Sequence, residues 1–243
     1  MPFTPHPHAL ARSPAALAPV RVAKDSLALL YADDYLLVLD KPAGLLAVPG
    51  RGDDKQDCLS LRAQKVFADA LVVHRLDMST SGLMLMARGA DMQRRLSRAF
   101  EAREVHKRYV AVVDGCPDLH GADADGWSLI DLPIAADWPR RPLRIIDPIL
   151  GKPSQTRWRL HRHAEALPAP PLATRLALEP VTGRTHQLRV HLQAIGHAIL
   201  GDQLYGDAAV RARADRLLLH ASELQLLHPV DGRALLLASP VPF

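Results

Sequence analysis

The chain has 243 residues, with 30 Lys and Arg against 26 Asp and Glu for a formal charge of +4, and it is 48% hydrophobic and 23% charged. This composition belongs to a globular protein with a real core and excludes the disordered and fibrous classes, and the small positive excess permits a polyanionic partner without requiring one. Only Cys58 and Cys116 occur, with no C-x-x-C pair, so a disulfide framework and a thiolate zinc site are not indicated and a reducing cytoplasm is expected. No run approaches the ~18 apolar residues of a membrane helix, and Pro14 and Pro19 interrupt any signal-peptide core.

Residues 1–24 hold prolines at 2, 5, 7, 14 and 19 among Ala, His and Arg, a composition that predicts a flexible tail without regular elements. Residues 25–243 are expected to form a single domain. Apolar runs at 27–30 and 35–39, separated by Asp33-Asp34, predict a β-hairpin. Lys41-Pro42-Ala43-Gly44 breaks the strand pattern, and residues 58–68 read as a helix of mediocre periodicity. Residues 71–76 and 83–86 read as buried strands around a polar loop at 77–82. Met92, Leu96 and Phe100 recur at i, i+4 and i+8, predicting an amphipathic helix over 90–103 with Arg94, Arg95, Arg98 and Arg103 on its solvated side. Strands are predicted at 109–113, 156–160, 174–178, 217–219, 224–227 and 235–237, and a helix at 185–194. Residues 116–127, rich in Asp and Gly, read as a surface excursion. Strands outnumber helices and short turns join them, so an α+β fold is expected, with a mixed, mostly antiparallel central sheet and flanking helices.

Three polar clusters interrupt this apolar pattern: His74-Arg75-Leu76-Asp77 with Thr80-Ser81-Gly82, Lys107-Arg108-Tyr109, and Gly183 to Arg189. A carboxylate beside hydroxyls at a strand end can act as nucleophile or base when a cation holds it. Arg189 and Arg184 are both candidates for that cation. Spacing alone leaves open that Asp77 only caps its own turn. His161 and His163 form an H-x-H, without the further ligands that a metal requires.

The string His74-Arg75-Leu76-Asp77-Met78-Ser79-Thr80-Ser81-Gly82-Leu83 resembles the HRLDxxTSGL signature of RluA-type pseudouridine synthases. Lys41 to Leu46, Lys107 to Ala111, Thr182 to Gly206 and Leu218 to Pro229 resemble the same family in the same order, so the resemblance spans about residues 27–240. One departure is Ala198, where relatives carry Pro, which puts local loop rigidity in doubt. Val48-Pro49-Gly50-Arg51, Asp131 to Ile134, Asp137-Trp138-Pro139 and Gly151-Lys152-Pro153 resemble the dual-specificity members that act on tRNA and large-subunit rRNA.

The resemblance implies the pseudouridine synthase fold with a catalytic cleft, one catalytic domain with no separate RNA-binding domain in front of it, and the isomerisation of uridine in structured RNA, without cofactor or metal. The targets implied are an anticodon-loop uridine of tRNA and a stem-loop uridine of 23S rRNA. It assigns Asp77 as the catalytic aspartate, Tyr109 as the tyrosine against the uracil and Arg189 as the arginine paired to the aspartate, with a two-pronged grip expected. Asp77 attacks C1′ or removes the 2′ hydrogen, and both routes stay open. Arg75, as a wedge in the RNA stack, and His74, Thr80, Lys107, Arg184 and His186 are the expected RNA-binding residues. A monomer acting in the cytoplasm is expected. Two other readings compete: an inactive RNA-binding or chaperone protein, against which the joint presence of Asp77, Tyr109 and Arg189 speaks, and a retaining glycoside hydrolase pairing Asp77 with Asp202.

Overall fold

The structure is a computed structural model that describes residues 20–21, 27–118, 121–161 and 173–243. Its first part contains β1 (Val20–Arg21), β2 (Ala28–Ala32), β3 (Leu36–Lys41), α1 (Leu59–Gln64), β4 (Ala70–Val72), β5 (Ser81–Arg88), α2 (Gly89–Glu101) and β6 (His106–Asp114). There follow β7 (Ser128–Asp131), β8 (Ile134–Ala136), β9 (Arg144–Ile146), β10 (Gln155–Leu160) and β11 (Ala173–Pro180). The chain closes with α3 (Gln187–Ala194), α4 (Ala208–Ala212), β12 (Leu219–Leu227) and β13 (Ala234–Ala238).

One sheet runs in the order β1-β2-β3-β5-β12-β6-β11-β10-β7, with β13 added to β12 and β4 to β5, while β8 and β9 form a separate hairpin. Strand β5 is apolar on both faces because both are covered. Leu83, Leu85 and Ala87 pack with Met92 and Leu96 of α2, and Met84 and Met86 pack with Leu59 and Ala63 of α1. The period-2 alternation of a strand sends these two sets to opposite sides. In the other half, Leu188 and Leu192 of α3 pack on Tyr109, Ala111 and Val113 of β6 and on Leu176 and Leu178 of β11.

All ladders are antiparallel except β5 with β12, which pairs only His220 with Ser81 and Ala221 with Gly82. This short parallel join unites the two halves of the sheet, and it depends on Gly82. At φ +108°, a Cβ there would stand 2.3 Å from the Ala221 carbonyl oxygen. The loop that carries Asp77 enters β5 at this seam.

The mixed, mostly antiparallel sheet agrees with expectation, and several boundaries do not. Val20–Arg21 pairs with Ala28 and Leu29, so the segment expected to lack regular structure supplies a short strand; residues 1–19 and 22–24 lie outside the described ones. The strand expected over 71–76 ends at Val72; the apolar run continues because Leu76 pegs the following loop into the core beside Tyr109. The runs at 217–219 and 224–227 are not two strands. Strand β12 absorbs the second and begins at Leu219, its polar middle satisfied by side-chain bonds from His220 to Ser81 (2.8 Å) and to Ser239 (3.1 Å). The helix expected over 58–68 is shorter, and β7, the β8–β9 hairpin and α4 were not anticipated. Ala198 is held despite lacking the proline ring, its carbonyl accepting the Asp114 N–H at 2.9 Å. Among the described residues no helix is long and apolar enough to cross a membrane.

Candidate active site

Residues 73–80 form an irregular loop fixed from three sides. The Met78 carbonyl accepts the Gly44 N–H at 2.8 Å and the Lys41 ammonium at 3.1 Å. Lys41 is fully buried and also donates to the Pro42 and Leu45 carbonyls, both at 2.8 Å. Burial pulls its pKa down to about 8, against the opposing attraction of Asp77. The His74 ring stacks on Phe100 at 4.5 Å, and its Nε2 accepts the Leu85 N–H at 2.8 Å. Burial, with the Lys107 charge beside it, pushes that ring down to about 3, so it stays neutral. Held between these anchors, Asp77 keeps its side chain partly in the open.

The second wall is the start of α3. Gln187 organises it: Oε1 accepts from the Thr182 hydroxyl (2.7 Å) and the Arg184 N–H (3.0 Å), while Nε2 donates to the Gln155 carbonyl (2.9 Å) and Thr156 Oγ1 (3.0 Å). The chain enters the helix through His186 in a left-handed conformation, φ +57°, unusual for a residue with a side chain. One turn later Arg189 points back into the cleft, almost fully buried, and meets two carboxylates. It grips Asp202 with Nε to Oδ2 at 2.8 Å and Nη2 to Oδ1 at 2.6 Å. Its remaining Nη1 donates to Asp77 Oδ2 at 3.3 Å.

The expected pairing of Arg189 with Asp77 is therefore present as a single longer bond, and the two-pronged grip falls on Asp202. This also removes Asp202 as a second catalytic carboxylate of a glycoside hydrolase. It is completely buried, and besides Arg189 it accepts the Leu204 and Tyr205 N–H groups at 2.9 and 3.1 Å. Its lone pairs are spent on holding the guanidinium.

A third neighbour of Asp77 is His186, with Nε2 at 3.9 Å from Oδ1. Tyr205 Oη accepts the Arg144 N–H at 2.9 Å and lies 2.7 Å from His186 Nδ1. Burial raises the Tyr205 phenol to about 12, so it remains a donor. The contact to Tyr205 holds the His186 ring so that Nε2 is the nitrogen facing Asp77. Burial lowers the His186 pKa, against Asp77, which favours the neutral form.

Asp77, His186 and Arg189 line a cleft of about 840 Å³ that also includes Arg75, Thr80, Arg103, Lys107, Tyr109 and Arg184. Such a volume lies towards the upper end of ligand sites. Tyr109 is 9% exposed, and burial, reinforced by the Asp77 charge, raises its pKa. The side chain is a phenol, which suits it to contact a base better than to take a proton. Arg75 is exposed at the cleft wall. Lys107 lies 5.7 Å from the centre of the Phe100 ring, and burial lowers its pKa. Arg184 is exposed and reaches the Pro153 carbonyl at 3.4 Å, so it is not the partner of Asp77. Thr80 is buried, its N–H closing the turn on the Asp77 carbonyl at 3.1 Å. Arg94 and Arg95 pair with Asp91 at 3.3 and 2.9 Å, as a solvated helix face does, whereas Arg103 joins the cleft. His163 lies outside the described residues, among which no group of three or more His, Cys, Asp or Glu is placed to hold a metal.

Sequence reasoning missed Lys41 and Tyr205 as parts of the site, and weighed Asp202 only as a second catalytic carboxylate, not as the group that holds Arg189. Lys41-Pro42 and Asp202 to Gly206 both lie within the resembling segments, but nothing in their spacing told that they converge on the Asp77 loop and on Arg189.

The profile of the RNA pseudouridylate synthase family matches residues 35–194. The dual-specificity RNA pseudouridine synthase RluA of Escherichia coli K12 is 44% identical over 217 residues, covering 89% of this chain and 94% of that protein. The Yersinia pestis protein of the same name is 44% identical over 204 residues, covering 84% and 93%. Among solved structures, human RNA pseudouridylate synthase domain containing 1 is similar with a TM-score of 0.71 at 29% identity, covering 90% of this chain and 84% of that one. The chain belongs to the RNA pseudouridylate synthase family and has its α+β fold.

Proposed function

We propose that this enzyme converts a uridine in a tRNA anticodon loop, and a stem-loop uridine of 23S rRNA, to pseudouridine, with Asp77 as the catalytic carboxylate. The observation that carries the reading is Asp77 itself: partly open, on a loop braced by buried Lys41, and facing a guanidinium locked by Asp202. Uracil must be freed from C1′, turned and rejoined through C5, with the C5 proton lost and N1 protonated, so substrate and product are isomers. Both chemical routes, attack on C1′ and removal of the 2′ hydrogen, start from an ionised Asp77. Arg189 donates to one of its oxygens at 3.3 Å, and His186 Nε2 lies 3.9 Å from the other.

The extruded base would lie against the Tyr109 ring, and Arg75 would fill the gap that it leaves in the stack. A uridine in a loop is already partly unstacked, so extrusion costs less than the few kcal/mol required in a duplex. On this reading the enzyme acts as a cytoplasmic monomer, without a cofactor, through the one catalytic domain. Lys107, Arg184, Thr80 and His186 contact the RNA near the target, while His74, with one ring nitrogen committed to β5, positions the loop.

The test is pseudouridine mapping of cellular RNA with and without the protein, joined to turnover on an isolated anticodon stem-loop. Loss of pseudouridine at defined loop positions, and turnover on the stem-loop, are the expected results. An unchanged map would overturn the reading.

A further inference from the structure

The β8–β9 hairpin lies outside the cleft and carries features that the reaction does not use. Trp138 is 67% exposed, whereas Trp127 and Trp158 are 7% and 4% exposed. A large aromatic surface kept in water at a loop tip commonly marks a binding surface. The Arg141 guanidinium lies over the Trp138 ring, 3.5 Å from its centre, and Arg141 is itself exposed.

The tip is also built in advance. Asp137, 5% exposed, accepts the side chain of Arg140 at 2.7 Å, and the turn closes through Asp137 N–H to Leu143 O at 3.1 Å and Leu143 N–H to Arg140 O at 3.0 Å. Arg140 nevertheless keeps 71% of its side chain exposed. The strand end beside the tip is tied to the active site: Arg144, the first residue of β9, opposite Ala136, donates its N–H to the Tyr205 hydroxyl, which meets His186 beside Asp77. Arg144 is close enough for its charge to bear on His186.

We propose that the Trp138–Arg141 tip is a second RNA-contact element, in which Trp138 stacks an unpaired base of the substrate loop outside the cleft while Arg140 and Arg141 engage flanking phosphates. RNA is the occupant favoured, because a planar ring and guanidiniums together match a base face next to phosphate charge, and because Arg144, where the tip joins β9, is bonded to Tyr205 beside the site that receives the target uridine. The proposal rests on the function given above and adds to it where the substrate is held.

The experiment uses the full chain and the anticodon stem-loop at one stated salt concentration. Trp138→Ala should raise KM and Kd about tenfold, within the range for loss of one base–aromatic stack, with kcat changed less than twofold. Trp138→Phe should recover most of the affinity. Arg141→Ala should lower the salt dependence of binding by about one contact, a slope change of roughly 0.7 on single-stranded RNA. Because the other tryptophans are buried, saturating stem-loop should shield Trp138 from acrylamide quenching, and Trp138→Phe should abolish that difference. Unchanged KM in Trp138→Ala, or unshielded Trp138 with bound RNA, overturns the proposal and leaves the hairpin to a protein partner. An inactive wild-type enzyme on every RNA tested sinks the functional reading instead, so the two failures are distinguishable. Matching thermal melts of the variants, expected at exposed positions, exclude misfolding as the cause.

Discussion

Arg189 lies between two carboxylates, and the loops that present them differ in almost every physical respect. Asp202 is fully buried, receives two bonds from the guanidinium and two from backbone N–H groups, and follows Gly201, where a Cβ would stand 2.0 Å from the Arg216 carbonyl oxygen. Asp77 is 24% exposed and receives one longer bond from the same arginine. A carboxylate with its lone pairs filled positions other groups, and one left partly unsatisfied in a cleft can react. The difference predicts that removing one charge stops chemistry while the fold stands, and removing the other damages both.

Asp77→Asn is the sharpest break of that comparison. Turnover should fall at least ~10³-fold, the order expected when a carboxylate doing proton transfer or more is lost, while the affinity for stem-loop RNA changes by less than about tenfold and the melting temperature holds. Assays of the C5 hydrogen released as pseudouridine forms, on protein free of wild-type enzyme, check the first part. Measurable turnover would remove Asp77 as the catalytic group. Asp202→Ala should instead lower stability by about 3–5 kcal/mol, because it strands a buried guanidinium, and activity should fall with it. Denaturant melts decide this, and an unchanged melt would show that the grip on Arg189 is dispensable.

Arg189→Lys tests the shared partner. An ammonium can approach one carboxylate but cannot serve both in a plane, so kcat should drop ~10–100-fold, equivalent to one charged hydrogen bond of about 1.5–3 kcal/mol. RNA affinity should change little. Single-turnover kinetics at saturating stem-loop provide the check, and near-normal turnover would mean that the Asp77 geometry does not depend on the fork.

The contrast between the loops also explains what could be read from the sequence. Strand β5 and helix α2 were legible because burial on two faces, or on one stripe, imposes apolar periodicity. The resemblance singled out Asp77, Tyr109 and Arg189, three residues far apart in sequence that the fold brings to one cleft. Its support was not legible. Lys41, Asp202 and Tyr205 act across the fold, where a lysine buried to hold a carbonyl looks in sequence like any surface lysine. The boundary errors have the same origin: Leu76 extends an apolar run because it plugs the core from a loop, and His220 interrupts one because its partners Ser81 and Ser239 lie on other strands.

The smallest effect concerns the Asp202 loop's outermost contribution, the Tyr205 hydroxyl. It accepts the Arg144 N–H and orients His186, whose Nε2 stands 3.9 Å from Asp77, but it touches neither the Asp202 nor the Asp77 carboxylate by hydrogen bond. Tyr205→Phe keeps the ring that lies against Arg189, with the guanidinium carbon 5.1 Å from its centre, and removes one donor and one acceptor. The cost should be about 1 kcal/mol, the usual net value of a hydrogen bond, or roughly a fivefold fall in kcat. KM should stay within twofold, because the hydroxyl is turned towards His186 and β9. A stability loss without a change in kcat would place Tyr205 with Asp202 as scaffold alone; a kcat loss that remains after correction for folded fraction would show that the orientation of His186 bears on Asp77.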